Sequence, residues 1–444
     1  MESKKWGIVG GGMMGMTLAH RLAQQGHKVT VYESAPELGG LVSPWKMPVQ
    51  TADGVKDIEW DKFYHVILLS DFYTRGVLKD IDLDDKIEWV ETKTGFYIEG
   101  KLHSMSDTVE FLKFPTLNLI DKFRLGLTIL VASRIKDWKK LEKIPLTEWL
   151  KKWSGANTYN KIWLPLLRAK LGESYQRTSA VFIWATIQRL YGARRSGLKK
   201  EMFGFVKGGY KTVIESFTNT LLTEGVTIRT NTTVKEVKTG ADNKPLIQLI
   251  DDSVESFDEV IVTLPSSLSA RLCTGLSPNE VKRLNEVEYL GVICVAVLLD
   301  RSISDFYITN ITDSRFPFTG VIEMSALVNK DYLGGYALVY LPKYVVSNDP
   351  LFDQSDEEIR NYFISNFKNM YPWLTDSNLK FVGVAKAKHV ITVARLNYSE
   401  LLPDIRTSVP NVYIVNTSHI KDGTLNVNET VKVAETKLEE ILKG

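Results

Sequence analysis

The residues best suited to chemistry in this sequence stand near its start. Gly10-Gly11-Gly12-Met13-Met14-Gly15 spells G-x-G-x-x-G and follows at once on the apolar run Trp6-Gly7-Ile8-Val9. Met16, Ala19, Leu22 and Ala23 then recur at helical spacing up to Gly26, a natural helix end. His27 to Tyr32 reads as a second strand with Glu33 at its tip. Strand, glycine turn, helix, strand and terminal acid in that order make the βαβ unit that binds a dinucleotide. Gly10 permits the tight turn, Gly12 lets the backbone approach a pyrophosphate, and Gly15 lets the helix close on the strand. The helix opens at Met13 and Met14, where free N–H groups and the positive dipole end face the phosphates. Glu33 suits the two hydroxyls of an adenosine ribose and disfavours a 2′-phosphate, so NADP is not expected.

The segment that follows narrows the cofactor. Glu33-Ser34-Ala35-Pro36-Glu37-Leu38-Gly39-Gly40 is an acid, five residues, then two glycines. This resembles the extended fingerprint of the flavin amine oxidase superfamily, which includes monoamine and polyamine oxidases, protoporphyrinogen oxidase, phytoene desaturases and UDP-galactopyranose mutase. The resemblance implies FAD, with the Gly39–Gly40 pair approaching the diphosphate and leading toward the flavin. Many members carry Arg after the pair. Leu41 stands there in this chain, which fits the wider superfamily better than the amine oxidases proper.

The likeness runs on through the chain. Gly208-Gly209-Tyr210 precedes a helical stretch, Val213 to Leu222, followed by Val234-Lys235-Glu236-Val237 and the apolar run Glu259 to Leu264, which includes Thr263. In the family, the strand equivalent to Val234 meets the adenine through its backbone, and the later run returns the chain to the nucleotide sheet. At the C-terminus, Asn411 to Thr417 reads as a strand, His419 to Val427 as a loop and Asn428 to Leu442 as a helix, with Asn426 or Asn428 as its cap. The resemblance places Asn426 and Val427 against the flavin and its phosphates. Asn416-Thr417 stands where many members have Gly-Asp.

These elements imply an α/β fold: a Rossmann-like FAD-binding domain assembled from residues 1–68, 203–285 and 405–444, with an α+β substrate domain from 69–202 (mostly helical) and 286–404 (strand-rich). The 444 residues suit two such domains.

Within Asp57 to His65, the pair Tyr64 and His65 lies where related chains pass close to the isoalloxazine. A phenol and an imidazole there could move the proton that accompanies hydride transfer, and they are the candidate catalytic residues. The leading expectation is an FAD-dependent oxidoreductase that takes a hydride from an organic small molecule. The alternative is a mutase-like isomerase acting on a sugar nucleotide, which needs arginines converging on a diphosphate; Arg168, Arg189, Arg194 and Arg195 are the candidates. A non-catalytic flavoprotein is the third reading.

Composition excludes other classes. Net charge is +2 with 24% charged residues, which gives no basic stripe for nucleic acid. Cys273 and Cys294 lie in no metal-binding or disulfide spacing, so no metal is expected and a cytoplasmic setting is. Met1 to Lys5 contains no apolar leader. The most lipid-like stretch, Leu125 to Ala132, is far short of the roughly 20 residues a span needs. With the basic stretch Lys136 to Lys143 it reads as a helix packed on its neighbours with solvated lysines; peripheral membrane contact is the alternative. Oligomeric state leaves no mark in the sequence.

Overall fold

The computed structural model describes residues 2–106, 108–193 and 201–443. Its nucleotide half is a five-stranded parallel sheet made of β1 (Lys5–Val9), β2 (Lys28–Tyr32), β3 (Thr227–Arg229), β4 (Glu259–Val262) and β5 (Val412–Ile414), in the order β3-β2-β1-β4-β5. Ile8 lies opposite both Val31 and Ile261, and Ile261 opposite Tyr413. The central strands read as nearly continuous apolar runs because both faces are covered. One face carries α1 (Met13–Gln24), α2 (Gly209–Thr223) and α3 (Val427–Leu442), whose Met16, Leu22, Phe217, Val431 and Ala434 bury against Ile8 and Val31. The other face is covered by a three-stranded antiparallel sheet over 234–256, whose Val237 and Ile247, with Phe257 just past its last strand, pack on Val9, Tyr32 and Val260. Strands from three distant parts of the chain thus share one sheet.

The second layer is a seven-stranded sheet. From one edge its strands run Leu379–Thr392, Tyr289–Leu299, Ala337–Val346, Gly320–Glu323, Ile308–Ile311, Thr94–Ile98 and Lys101–Ser104. Tyr289–Leu299 is buried along its whole length. The helix Asp356–Met370 covers one face, and the hairpin Pro44–Thr51/Gly54–Asp61 packs against the other. Residues 69–202 supply the helices Leu119–Arg134, Leu146–Thr158, Leu164–Leu171 and Val181–Ala193. They also supply three strands, two of them in the large sheet, which the helical periodicity of the segment does not announce.

Both cysteines are free and buried; burial pushes the Cys273 thiol up to about 12. Among the described residues no helix is long and apolar enough to cross a membrane, and no cluster of His, Cys, Asp or Glu could hold a metal ion.

Candidate functional site

The turn between β1 and α1 is built around contacts that leave no room for side chains. Gly10 has φ of +110°, and a Cβ there would sit 2.3 Å from Thr263 Oγ1, a hydroxyl that itself donates to the Val9 carbonyl at 3.0 Å. A Cβ on Gly15 would come within 1.9 Å of the Gly10 carbonyl oxygen, so this glycine permits the contact of helix and turn. Gly12 differs. A Cβ there meets nothing of this chain closer than 3.9 Å, so its missing side chain leaves space open over the helix N-terminus. Gly12 is the N-cap of α1 without a side-chain cap, and no acid lies in the first turn. The helix end is therefore left for an external anion. Met13 and Met14 bury their side chains behind it.

Glu33 stands at the tip of β2. Its carboxylate accepts the Gly11 amide at 2.8 Å and the Ala35 amide at 2.8 Å, and the Ser34 hydroxyl lies 3.3 Å away. The Glu33 carbonyl accepts the Thr232 amide at 2.9 Å, which brings the chain leading into Val234 alongside the acid. The glycine pair closes the cradle: Gly39 donates to the Gly11 carbonyl at 2.8 Å, and a Cβ on Gly40 would lie 3.2 Å from Gly12 Cα. Leu41 sits half-exposed in the short turn Gly40–Val42. Gly10, Gly12, Met13, Met14, Gly15, Glu33, Ser34, Gly39, Gly40, Leu41 and Thr263 thus gather about one turn, and the strand that begins at Val234 starts two residues beyond the Thr232 contact with Glu33. The open helix end, the glycine floor and the acid fit the adenosine diphosphate half of FAD.

From this cradle the chain leads directly to Tyr64 and His65. Pro44, just past the Gly40 turn, pairs with Asp61 across the hairpin. Asp61 is buried, and its Oδ1 accepts the Tyr210 amide at 2.8 Å at the start of α2. One turn further, Ile214 of α2 packs against Gly39. His65 presents Nδ1 to Asp61 Oδ2 at 3.5 Å, and its ring lies 5.2 Å from that of Tyr210. A cavity of about 10 Å³, room for roughly one water, opens between Asp61, His65 and Tyr210. The Tyr64 hydroxyl shares a 2.6 Å hydrogen bond with that of Tyr344, and the Tyr340 hydroxyl donates to the Asp61 carbonyl at 2.5 Å. Burial raises the Tyr64, Tyr210, Tyr307 and Tyr340 phenols, the negative charge of Asp61 adding to the rise at Tyr210 and Tyr340, so these hydroxyls keep their protons.

A larger cavity of about 200 Å³ lies at the start of α3, lined by Ser70, Asp71, Gln188, Arg189, Thr424 and Asn426 among others. Asn426 caps α3 by accepting the Glu429 amide at 3.0 Å, and Val427 packs on the nucleotide core. Asn428 does different work: its Oδ1 accepts the Tyr73 and Thr74 amides and so caps the helix Phe72–Asp80. Asn416 is buried and holds the Leu264 carbonyl at 2.8 Å, tying β5 to the end of β4.

Of the four arginines considered for a diphosphate, Arg189 reaches the cavity but is paired with Asp71 at 3.0 Å. Arg168 lies 3.9 Å from Glu173 and stacks over Tyr175. Arg194 and Arg195 fall outside the described residues. Asp61 and the partners that surround it are what sequence reading passed over. An acid four residues before His65 was the available signal.

The sequence pattern of the flavin-containing amine oxidoreductases matches residues 13–424. This chain belongs to that family, and its cofactor is FAD. Zeta-carotene desaturase of Synechocystis sp. is 21% identical over 457 residues, covering 92% of this chain and 91% of that one. Carotenoid phi-ring synthase of Streptomyces griseus is 36% identical over 77 residues, covering 17% of this chain and only 14% of that one. A solved chain from Exiguobacterium sp. 255-15, named as a protoporphyrinogen oxidase, superposes with a TM-score of 0.74 at 18% identity over 100% of both chains.

Proposed function

We propose that this protein is an FAD-dependent oxidoreductase that removes a hydride and a proton from an organic small molecule. Residues 1–68, 203–285 and 405–444 form its FAD-binding domain, and residues 69–202 and 286–404 its substrate domain. Gly10, Gly12, Met13, Met14, Gly15, Gly39, Gly40 and Leu41 hold the diphosphate. Glu33 and Ser34 hold the ribose, Val234 meets the adenine, Thr263 sets the turn, and Asn426 and Val427 face the flavin. When bound, the flavin supplies the two-electron acceptor for the hydride.

The observation that carries the reading is the bridge made by α2: one turn separates its contact with Gly39 of the cradle from its hydrogen bond to Asp61 behind His65. His65 takes the proton that the substrate loses with its hydride; its Nδ1 makes no hydrogen bond, and the Asp61 carboxylate 3.5 Å away is the charge that offsets the imidazolium formed. Tyr64, held by Tyr344, keeps its hydroxyl proton and orients the substrate as a donor. The isomerase reading is less well supported, because Arg189 already has its carboxylate partner and Arg168 a loose one.

The visible spectrum of the purified protein tests the proposal, recorded anaerobically with dithionite and then with panels of amines, polyenes, porphyrinogens and UDP-galactose. Flavin bands that bleach with one of the reductant substrates and recover with an oxidant support it. Turnover of the sugar nucleotide by reduced enzyme, with no net bleaching, would put the isomerase in its place.

A further inference from the structure

The helix Leu119–Arg134 turns an apolar face outward and buries polar side chains. Its inward face, with Asp121, Leu125, Thr128 and Ala132, is buried. Its outward face repeats Leu119, Ile120, Phe123, Leu127 and Leu130 at helical spacing, and Leu119, Ile120 and Phe123 are 75%, 72% and 72% exposed. A surface helix ordinarily shows polar residues to water, and a contiguous apolar stripe marks a contact surface. Exposed Leu112 lies beside it, where Lys122 Nζ donates to the Leu112 carbonyl at 2.6 Å.

The stripe runs into a cationic end. Arg134, Lys136, Lys139, Lys140 and Lys143 are exposed, and Asp137 is the exposed acid among them. Apolar side chains flanked by a cluster of cations match the two layers of an anionic bilayer surface: hydrocarbon below, phosphate above. At 16 residues the helix is too short to span, so the match is to a helix lying in the interface plane. The opposite face is anchored to the body of the protein. Gln188 donates to the Ala132 carbonyl at 2.7 Å and Trp184 to the Ile135 carbonyl at 3.1 Å. The helix that carries them, Val181–Ala193, also lines the cavity at Arg189.

We infer that the face formed by Leu119, Ile120, Phe123 and Leu130 with Arg134 to Lys143 docks this protein peripherally on an anionic lipid bilayer. The apolar stripe enters the acyl boundary and the lysines meet the lipid phosphates. Docking stands apart from the proposed reaction, and its test needs no substrate.

The full-length holoprotein is sedimented with vesicles of phosphatidylcholine alone and with added phosphatidylserine. The expected result is binding that tightens roughly tenfold with the anionic lipid and weakens with salt. The variant Leu119→Ser/Ile120→Ser/Phe123→Ser loses binding to both vesicles while keeping its flavin content and melting temperature. The variant Lys136→Glu/Lys139→Glu/Lys140→Glu loses the increment from phosphatidylserine. Wild type that stays in the supernatant with both vesicles overturns the inference, as does binding indifferent to the apolar substitutions. A sedimentation coefficient that falls in the apolar variant without any vesicle binding assigns the face to a second copy of this chain instead.

Discussion

The Gly39 amide donates to the Gly11 carbonyl at 2.8 Å, so two glycine turns nearly thirty residues apart in the chain form one floor. Gly12, between them, has open space where a Cβ would stand, whereas Gly15 has none. The two glycines of one motif therefore answer to different forces, and substitution separates them.

Gly12→Ala should fold, since the added Cβ meets nothing closer than 3.9 Å, and Gly12→Val, which reaches further into the same space, should bind FAD at least about tenfold more weakly, or about 1.4 kcal/mol. Gly15→Ala should instead lose about 1–3 kcal/mol of stability, because its methyl meets the Gly10 carbonyl. Flavin-fluorescence titration and urea denaturation of the apoproteins separate the two effects. A Gly12→Val protein that keeps stoichiometric FAD would remove the diphosphate from this turn.

Asp61 holds the Tyr210 amide and faces His65. Asp61→Ala leaves a buried N–H without its acceptor and should cost about 1–3 kcal/mol. Asp61→Asn keeps an oxygen for that amide, so it should retain most of the stability while slowing flavin reduction by substrate. Dithionite reduction should remain unchanged in the same protein. Equal slowing by both reductants would mean that Asp61 acts on the flavin site as a whole rather than through His65.

Asn428 caps a helix other than its own. Asn428→Ala should destabilise by about 1 kcal/mol, and Asn428→Asp should recover most of it, since a carboxylate also accepts those amides. Thermal unfolding of the three proteins decides. A neutral alanine variant would show that water replaces the cap.

His419 is buried, and burial lowers its pKa from 6.5 to about 4, against a smaller upward pull from the Asn416 backbone. The folded protein holds it neutral, while the unfolded chain protonates it below pH 6.5. Its contribution to stability is complete above pH 6.5 and falls as pH drops toward about 4, by at most about 3 kcal/mol. Melting temperature against pH should show this slope, and His419→Asn should flatten it. An unaltered slope in the variant would assign acid sensitivity to other groups.

The nucleotide unit was legible from local pattern alone. Strand, glycine turn, helix and acid are local in residues 6–33, and each has a pattern that short-range sterics and periodicity enforce. The C-terminal helix was legible for the same reason, although which asparagine capped it was not: Asn426 and Asn428 look alike until the helix Phe72–Asp80 arrives to take one of them.

The surroundings of His65 come from contacts across the fold, because Asp61 finds the Tyr210 amide from 149 residues away and Tyr64 finds Tyr344 from 280. The fold likewise decided that Arg189 already faces Asp71, and that the stripe from Leu119 to Leu130 looks outward rather than into the core. An apolar period shows that a helix has an apolar face. Whether another element covers that face depends on where the rest of the chain goes, and no local pattern carries that information.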